Sequence, residues 1–207
     1  MGFLSVLSMA HKLVKERAAS GDIVIDATCG NGVDTQYLAE LVGPRGTVYA
    51  FDIQAEALER TRQRLVGSDE ATEAEAGAGI STDTAVRMRQ QVHLVHASHA
   101  EMDKHVAADA HGKVAAVMFN LGYLPGADQS IITTTDGTIA ALEAAIGLLR
   151  KGGILTVVLY PGHAGGDEEA DAVTRYVSEL PQAVAQAVLY RMAQKAEAPF
   201  LLAIEKR

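Results

Sequence analysis

Residues 24–35 read Val24-Ile25-Asp26-Ala27-Thr28-Cys29-Gly30-Asn31-Gly32-Val33-Asp34-Thr35. With Ile23 in front, Val24 and Ile25 make a β-branched run suited to a buried strand, and Asp26 ends it where a carboxylate can face a cleft. Gly30 and Gly32 let the backbone turn tightly and come close to a ligand. From Val33 onward, Tyr37, Leu38 and Leu41 restore helical spacing. Strand, glycine turn and helix in that order form the arrangement at which open parallel sheets receive small ligands. Gly-Asn-Gly also suits a bare turn between strand and helix, so the stretch by itself predicts the fold unit and leaves the ligand open.

Working outward, residues 46–51 (Gly-Thr-Val-Tyr-Ala-Phe) form a second short strand, again followed by an acid, Asp52, and then by a helical segment over 55–65. An acid after the second strand of a doubly wound sheet is placed to accept both hydroxyls of a ribose, because a carboxylate offers two acceptor oxygens. That selects an adenosine ligand. A dinucleotide wants a third glycine where this chain has Thr35, so that a pyrophosphate can rest on bare amides. Asp26 would repel that pyrophosphate and attract a cation. The pair of acids therefore favours S-adenosylmethionine (SAM), which carries an ammonium and a sulfonium.

Composition narrows the class. A chain of 207 residues with 48% apolar and 21% charged residues suffices for one well-buried domain, read here as 1–207. No apolar run reaches the roughly 20 residues that span a bilayer, and the first ten residues lack a basic start and a cleavage pattern. The expectation is a cytoplasmic protein with no membrane partner. The single cysteine, Cys29, cannot form an intramolecular disulfide; with no histidine beside it in the turn it reads as a packing residue rather than a nucleophile. A net charge of -8 excludes broad adhesion to polyanions, so any nucleic-acid contact must be local.

In chain order, an amphipathic leading helix is expected over 3–19, with Leu4, Leu7, Val14 and Ala18 on its apolar side. His11, Lys12, Lys15 and Arg17 lie between, as a solvated face or an approach to phosphate. A helix over 33–42 follows the glycine turn. Arg60 and Arg64 share a helix face, with Glu56 placed to pair with Arg60. Over 67–91 the pattern dissolves into small residues and acids, and this stretch reads as a mobile insertion with a helical turn at 84–89. Further strands are expected at 92–95, 114–119 and 154–159, with helices from His99 to Ala108, over 135–149 and over 167–180. Segments 184–190 and 200–204 leave no room for a helix between them and suit an antiparallel hairpin at the sheet edge. The sum is an α/β, Rossmann-like fold of the SAM-dependent methyltransferase kind (class I): a seven-stranded, mostly parallel sheet with an antiparallel C-terminal hairpin and helices on both faces.

Three further strand ends carry polar groups. Ser98 and His99 follow the third strand, where an adenine edge would lie; Ser98 could equally cap the next helix in a capping box with Glu101. Asn120-Leu121-Gly122-Tyr123-Leu124-Pro125 follows the fourth. Asn120 offers a carbonyl that can orient an amine, and Tyr123 a face on which a base can stack, although the same residues also make an ordinary strand-exit loop. The loop is similar to the Asn-Pro-Pro-Tyr loop of amino-group methyltransferases, with Leu-Gly in place of the first proline region. Tyr160-Pro161-Gly162-His163 follows the fifth strand. With a reference pKa of about 6.5, His163 is suited to take a proton from a substrate amine, or to serve as a surface hydrogen-bonding group.

Taken together, Asp26-Ala27-Thr28-Cys29-Gly30-Asn31-Gly32 with Asp34-Thr35, then Phe51-Asp52-Ile53-Gln54, Ser98-His99, Asn120 to Gly126 and Tyr160 to His163 resemble the small bacterial SAM-dependent methyltransferases of the "putative rRNA methylase" family. That family includes the tRNA 5-aminomethyl-2-thiouridine methyltransferase. The resemblance implies N-methylation of the primary amine of that wobble nucleoside, with S-adenosylhomocysteine as product, a tRNA anticodon stem-loop as partner and no metal. It is compatible with a homodimer. By the same resemblance Asp26, Asn31 and Asp34 serve the amino-acid end of SAM, Asp52 and Gln54 the ribose, and Ser98 and His99 the adenine; Thr28, Gly30, Gly32, Thr35 and Ile53 complete the cofactor side. Asn120, Tyr123 and His163 are the implied catalytic residues, and Leu121, Gly122, Pro125, Tyr160 and Gly162 the substrate contacts. A methyltransferase of rRNA or of a small amine, and a non-catalytic SAM-binding protein, remain the alternatives at this stage.

Overall fold

The computed structural model describes residues 2–75, 91–122, 135–162, 165–195 and 197–207. Its strands are β1 (Ile23–Asp26), β2 (Thr47–Asp52), β3 (Val92–His96), β4 (Val114–Leu121), β5 (Leu149–Leu159), β6 (Ala185–Tyr190) and β7 (Phe200–Lys206). They form one sheet in the order β3-β2-β1-β4-β5-β7-β6. Pairing is parallel from β3 through β5, and β7 runs antiparallel to both β5 and β6. From β1 the chain winds outward through β2 and β3, then returns to β4 on the other side. The crevice between β1 and β4 is thus the switch point, where ligands of such sheets bind.

The helices are α1 (Val6–Lys15), α2 (Val33–Val42), α3 (Ala55–Glu75), α4 (Met102–His105), α5 (Thr135–Leu148) and α6 (Gly166–Glu179). Alternation along the strands divides the core between the two faces of the sheet. Val24, Val48, Ala116, Met118 and Val158 pack with Ala10 and Val14 of α1 and Leu38 and Val42 of α2. Ile25, Phe51, Val117, Phe119 and Leu155 pack on the opposite face with Met102 of α4, Leu142 of α5 and Val173 of α6. Both faces of β4 are therefore buried, and each large apolar side chain withdrawn from water there contributes roughly 1.5–3 kcal/mol.

Some element boundaries differ from those the sequence suggests. α1 is shorter than 3–19: the Ser5 side chain caps it by accepting the Ser8 N–H, and Leu4 and Leu7 stay exposed while Ala10 and Val14 are buried. α3 continues past 65 to Glu75, through Ala and Glu residues that favour helix. The helix expected from His99 to Ala108 is broken. Val106 leaves α4 in an extended conformation that carries its side chain into the core, and Ala107 donates its N–H to the Tyr49 hydroxyl. In β5 the register jumps between Leu149, opposite Val114, and Ile154, opposite Ala116. Gly152 and Gly153 lie in that bulge, with Gly152 at φ 72°. Most of 67–91, together with Tyr123, Pro125 and His163, lies outside the described residues.

Candidate functional site

Sheet register brings the sequence-separated strand ends to one rim. Asp26 lies opposite Ala50 and Met118, so Asp52 and Asn120 each stand two residues further toward the same edge. Asn120 pairs with Val158, which puts Tyr160 beside it two residues on; Asp52 pairs with His96, with Ser98 two beyond.

The glycine turn is tied down from both sides. Ala27 N–H donates to Met118 of β4 at 2.8 Å and Cys29 N–H to Phe51 of β2 at 2.9 Å. Thr28 accepts the Asn120 N–H on Oγ1 at 2.8 Å and donates its own N–H to Asp26 Oδ1 at 3.1 Å. Asp52 accepts Gly30 N–H at 3.1 Å on Oδ2 and Gln54 N–H at 2.9 Å on Oδ1. The two acids expected to flank one cleft thus hold a single turn at two points, Asp26 at Thr28 and Asp52 at Gly30. Cys29 is buried, and burial pushes its thiol well above the ordinary range, which removes it as a nucleophile at neutral pH.

Gly32 opens α2 at φ 76° and supplies no side-chain cap, leaving the first amides of the helix available to an anion. Asp26 is fully buried and accepts the Thr35 hydroxyl at 2.6 Å. Burial, and then the charge of Asp34, raise its pKa to about 7. Asp34 Oδ1 lies 2.7 Å from His11 Nε2. Three carboxylates around an uncapped helix start fit a ligand that joins a carboxylate to an ammonium and a sulfonium.

The remaining sequence candidates take definite places. Asn31 turns its side-chain oxygen to Arg60 at 3.2 Å and its carbonyl to Arg64 Nε at 2.6 Å, so the arginines that share a face of α3 clasp the turn from outside. Arg60 also pairs with Glu56 at 2.5 Å, as the spacing predicts. Ile53 is half exposed and offers its carbonyl to His96 at 2.9 Å. Ser98 caps the turn after β3 by accepting Ala100 N–H, while Glu101 pairs with Lys104 and so leaves the other half of the expected capping box unmade. His99 donates from Nδ1 to the Ala27 carbonyl at 3.3 Å and rests against Phe119. Burial lowers its pKa, so near neutral pH the ring is uncharged and its Nε2 is an acceptor.

At the ends of β4 and β5 the Tyr160 hydroxyl meets the Asn120 side chain, and burial with the nearby Asp34 charge raises the tyrosine pKa. The Tyr160 ring packs over Gly122, where a Cβ would sit 3.4 Å from Cδ2. Leu121 is sunk in the core, so only its backbone reaches the rim. Gly162 lies against the Glu197 carbonyl, 3.2 Å from a would-be Cβ. Sequence reasoning missed His11 and Tyr37. His11 stood out only as one of several basic residues of α1, because its partner is 23 positions away.

This strand order, with acids after β1 and β2 and an uncapped helix at the switch point, defines a class I SAM-dependent methyltransferase. Residues 48–205 match the family described as "Putative rRNA methylase", and 18–76 match a general methyltransferase domain. The chain belongs to that rRNA methylase family. It is 38% identical over 207 residues to the Arabidopsis thaliana "tRNA (mnm(5)s(2)U34)-methyltransferase, chloroplastic", covering 96% of this chain and 68% of that protein. The crystal structure of a "putative rRNA-methylase" from Clostridium thermocellum is 36% identical with a TM-score of 0.86, covering all of both chains. A "putative methyltransferase" from Streptococcus mutans, solved in complex with S-adenosylhomocysteine, is 32% identical with a TM-score of 0.80, again over the whole of both chains.

Proposed function

We propose that this enzyme methylates the primary amine of 5-aminomethyl-2-thiouridine at the wobble position of tRNA, giving 5-methylaminomethyl-2-thiouridine and S-adenosylhomocysteine. The observation that carries this reading is the identity of 38%, sustained over 96% of the chain, to a relative named for mnm5s2U34 methylation. The same reading makes the tRNA anticodon stem-loop its partner and the cytoplasm its place of work. Among the described residues no helix is long and apolar enough to cross a membrane.

SAM supplies an electrophilic methyl carbon on its sulfonium, and positioning falls to the protein. An in-line displacement needs the acceptor nitrogen about 3–3.5 Å from that carbon with its lone pair aimed at it. Asn120, fixed at the end of β4 by its N–H to Thr28, presents a side-chain carbonyl that accepts an amine proton and so turns the lone pair toward the methyl. The amine reaches the site as an ammonium and must lose a proton first; the partly buried surroundings of Asn120 and Tyr160 favour the neutral form. On sequence grounds Tyr123 offers a face on which the thiouracil ring can stack, and His163 is a candidate to take the proton.

The test is incubation with labelled SAM and separated RNA fractions from cells lacking this gene, followed by nucleoside analysis. Label in tRNA, in a nucleoside that co-elutes with 5-methylaminomethyl-2-thiouridine, is the expected result. Label confined to rRNA, as the family's description would have it, or no transfer to any RNA, overturns the assignment.

A further inference from the structure

The second acid of the glycine turn is gripped by a helix that precedes the sheet altogether. His11 of α1 donates from Nε2 to Asp34 Oδ1 at 2.7 Å. Its ring stacks on Tyr37, with centroids 3.9 Å apart and planes 5° from parallel, and the Tyr37 hydroxyl donates to the His11 carbonyl at 2.7 Å. The clamp is rigid because Ala10 and Val14, flanking His11 on α1, are buried in the same core as Leu38 and Val42 of α2. The Asp34 side chain is only 11% exposed, yet among the described residues Oδ2 carries no hydrogen bond and is not sealed from solvent. The charge of that carboxylate is felt by Asp26 and by Tyr160, which places it near the ends of both β1 and β5.

We propose that His11 is a positioning residue of the cofactor site: it holds the Asp34 carboxylate with Oδ2 open to the ammonium at the amino-acid end of SAM. The inference rests on the cofactor reading above and adds α1 to the site. A carboxylate already fixed in its binding rotamer loses little freedom when the ammonium arrives, and it cannot swing toward solvent to escape Asp26. Stacking on Tyr37 and donation to Asp34 are separable by substitution. His11→Phe keeps the stacked ring and removes the donor, whereas His11→Gln keeps a donor near the position of Nε2 and removes the ring.

Two nucleosides separate positioning from general damage. S-adenosylhomocysteine carries the amino-acid end, and 5′-methylthioadenosine lacks it. In titration calorimetry His11→Phe is expected to weaken S-adenosylhomocysteine about tenfold, roughly the loss of one well-placed polar contact. Binding of 5′-methylthioadenosine should change less than about twofold, and His11→Gln should recover most of the loss. In an Asp34→Asn background His11→Phe should cost nothing further, because the residue acts only through Asp34. Wild-type affinity in His11→Phe, an equal loss for both nucleosides, no recovery in His11→Gln, or additive losses with Asp34→Asn would overturn the inference. A wild-type protein that binds neither nucleoside would instead remove the cofactor reading, and this inference with it.

Discussion

The Thr35 hydroxyl donates to Asp26 Oδ2 across 2.6 Å in a fully buried contact between the end of β1 and the first turn of α2. With Thr28 N–H on the other oxygen, Asp26 has hydrogen bonds on both sides and, among the described residues, no cationic partner. Desolvation dominates, and its pKa rises from 3.8 to about 7. The folded chain therefore binds this proton more tightly than the unfolded chain between about pH 4 and pH 7. Stability of the ligand-free protein should fall as pH rises through that window and level off above it, and Asp26→Asn should flatten the slope. An ammonium bound nearby favours the ionised form, so SAM binding near pH 6 should release close to one proton and tighten about tenfold per pH unit up to about 7. Calorimetry in buffers of different ionisation enthalpy reads the proton directly. Equal observed heats in every buffer would mean that Asp26 does not sense the ligand.

Asp52 accepts the Gly30 N–H and, at 4.0 Å, the Cys29 thiol on Oδ2 and the Gln54 N–H on Oδ1, so Oδ1 keeps a further lone pair with which a ribose hydroxyl could bond. Asp52→Asn keeps one acceptor and turns a donor toward a backbone N–H. The variant should bind S-adenosylhomocysteine and 5′-methylthioadenosine about 10²-fold more weakly, the size expected when a charged hydrogen-bond partner is lost and the turn is loosened. Competition by adenosine against 2′-deoxyadenosine isolates the ribose. The wild type should prefer adenosine and Asp52→Asn should not, whereas a preference retained in the variant would place the hydroxyls elsewhere.

Gly32 answers to α3 as well as to the turn. Its φ is 76°, and an added Cβ would lie 2.9 Å from the Thr61 Cα, a backbone atom that cannot rotate away. Gly32→Ala combines left-handed strain with overpacking, for an expected loss of about 2–4 kcal/mol. Urea unfolding should show a lowered midpoint with an unchanged m value. A variant as stable as the wild type would show that α3 can move off the turn.

The parallel part of the sheet was readable because both its faces are buried. Runs such as Val114 to Phe119 are apolar throughout, and a polar residue, here Asn120, marks where they stop. Asp26, Asp52, Asn120 and Tyr160 were readable as rim residues for the same reason, since a strand end in a parallel sheet fixes a side chain's height without any contact being known. Contacts made across the chain were not. Nothing in the spacing of α1 ties His11 to Asp34, and nothing near Asn31 says that Arg60 and Arg64 will take both of its oxygens. The broken helix after His99 was hidden too, because Val106 leaves helical geometry for a core position that only the packed structure defines.

Asn120 gives the most direct test of the reaction. Its N–H, bonded to Thr28 Oγ1 at 2.8 Å, belongs to the backbone and survives any substitution except proline, so the glycine turn keeps its brace when the side chain is cut back. Asn120→Ala should leave the affinity for S-adenosylhomocysteine within about twofold and lower kcat about 10²-fold, the scale of losing orientation at a reacting nitrogen. Asn120→Asp restores an acceptor but adds a charge that stabilises the ammonium form of the amine. Its rate should recover partly and its optimum should move to higher pH. Single-turnover rates with 5-aminomethyl-2-thiouridine tRNA across a pH series distinguish these outcomes. Wild-type turnover in Asn120→Ala, with cofactor affinity unchanged, would take the orienting role away from this residue and leave the acceptor loop to supply it.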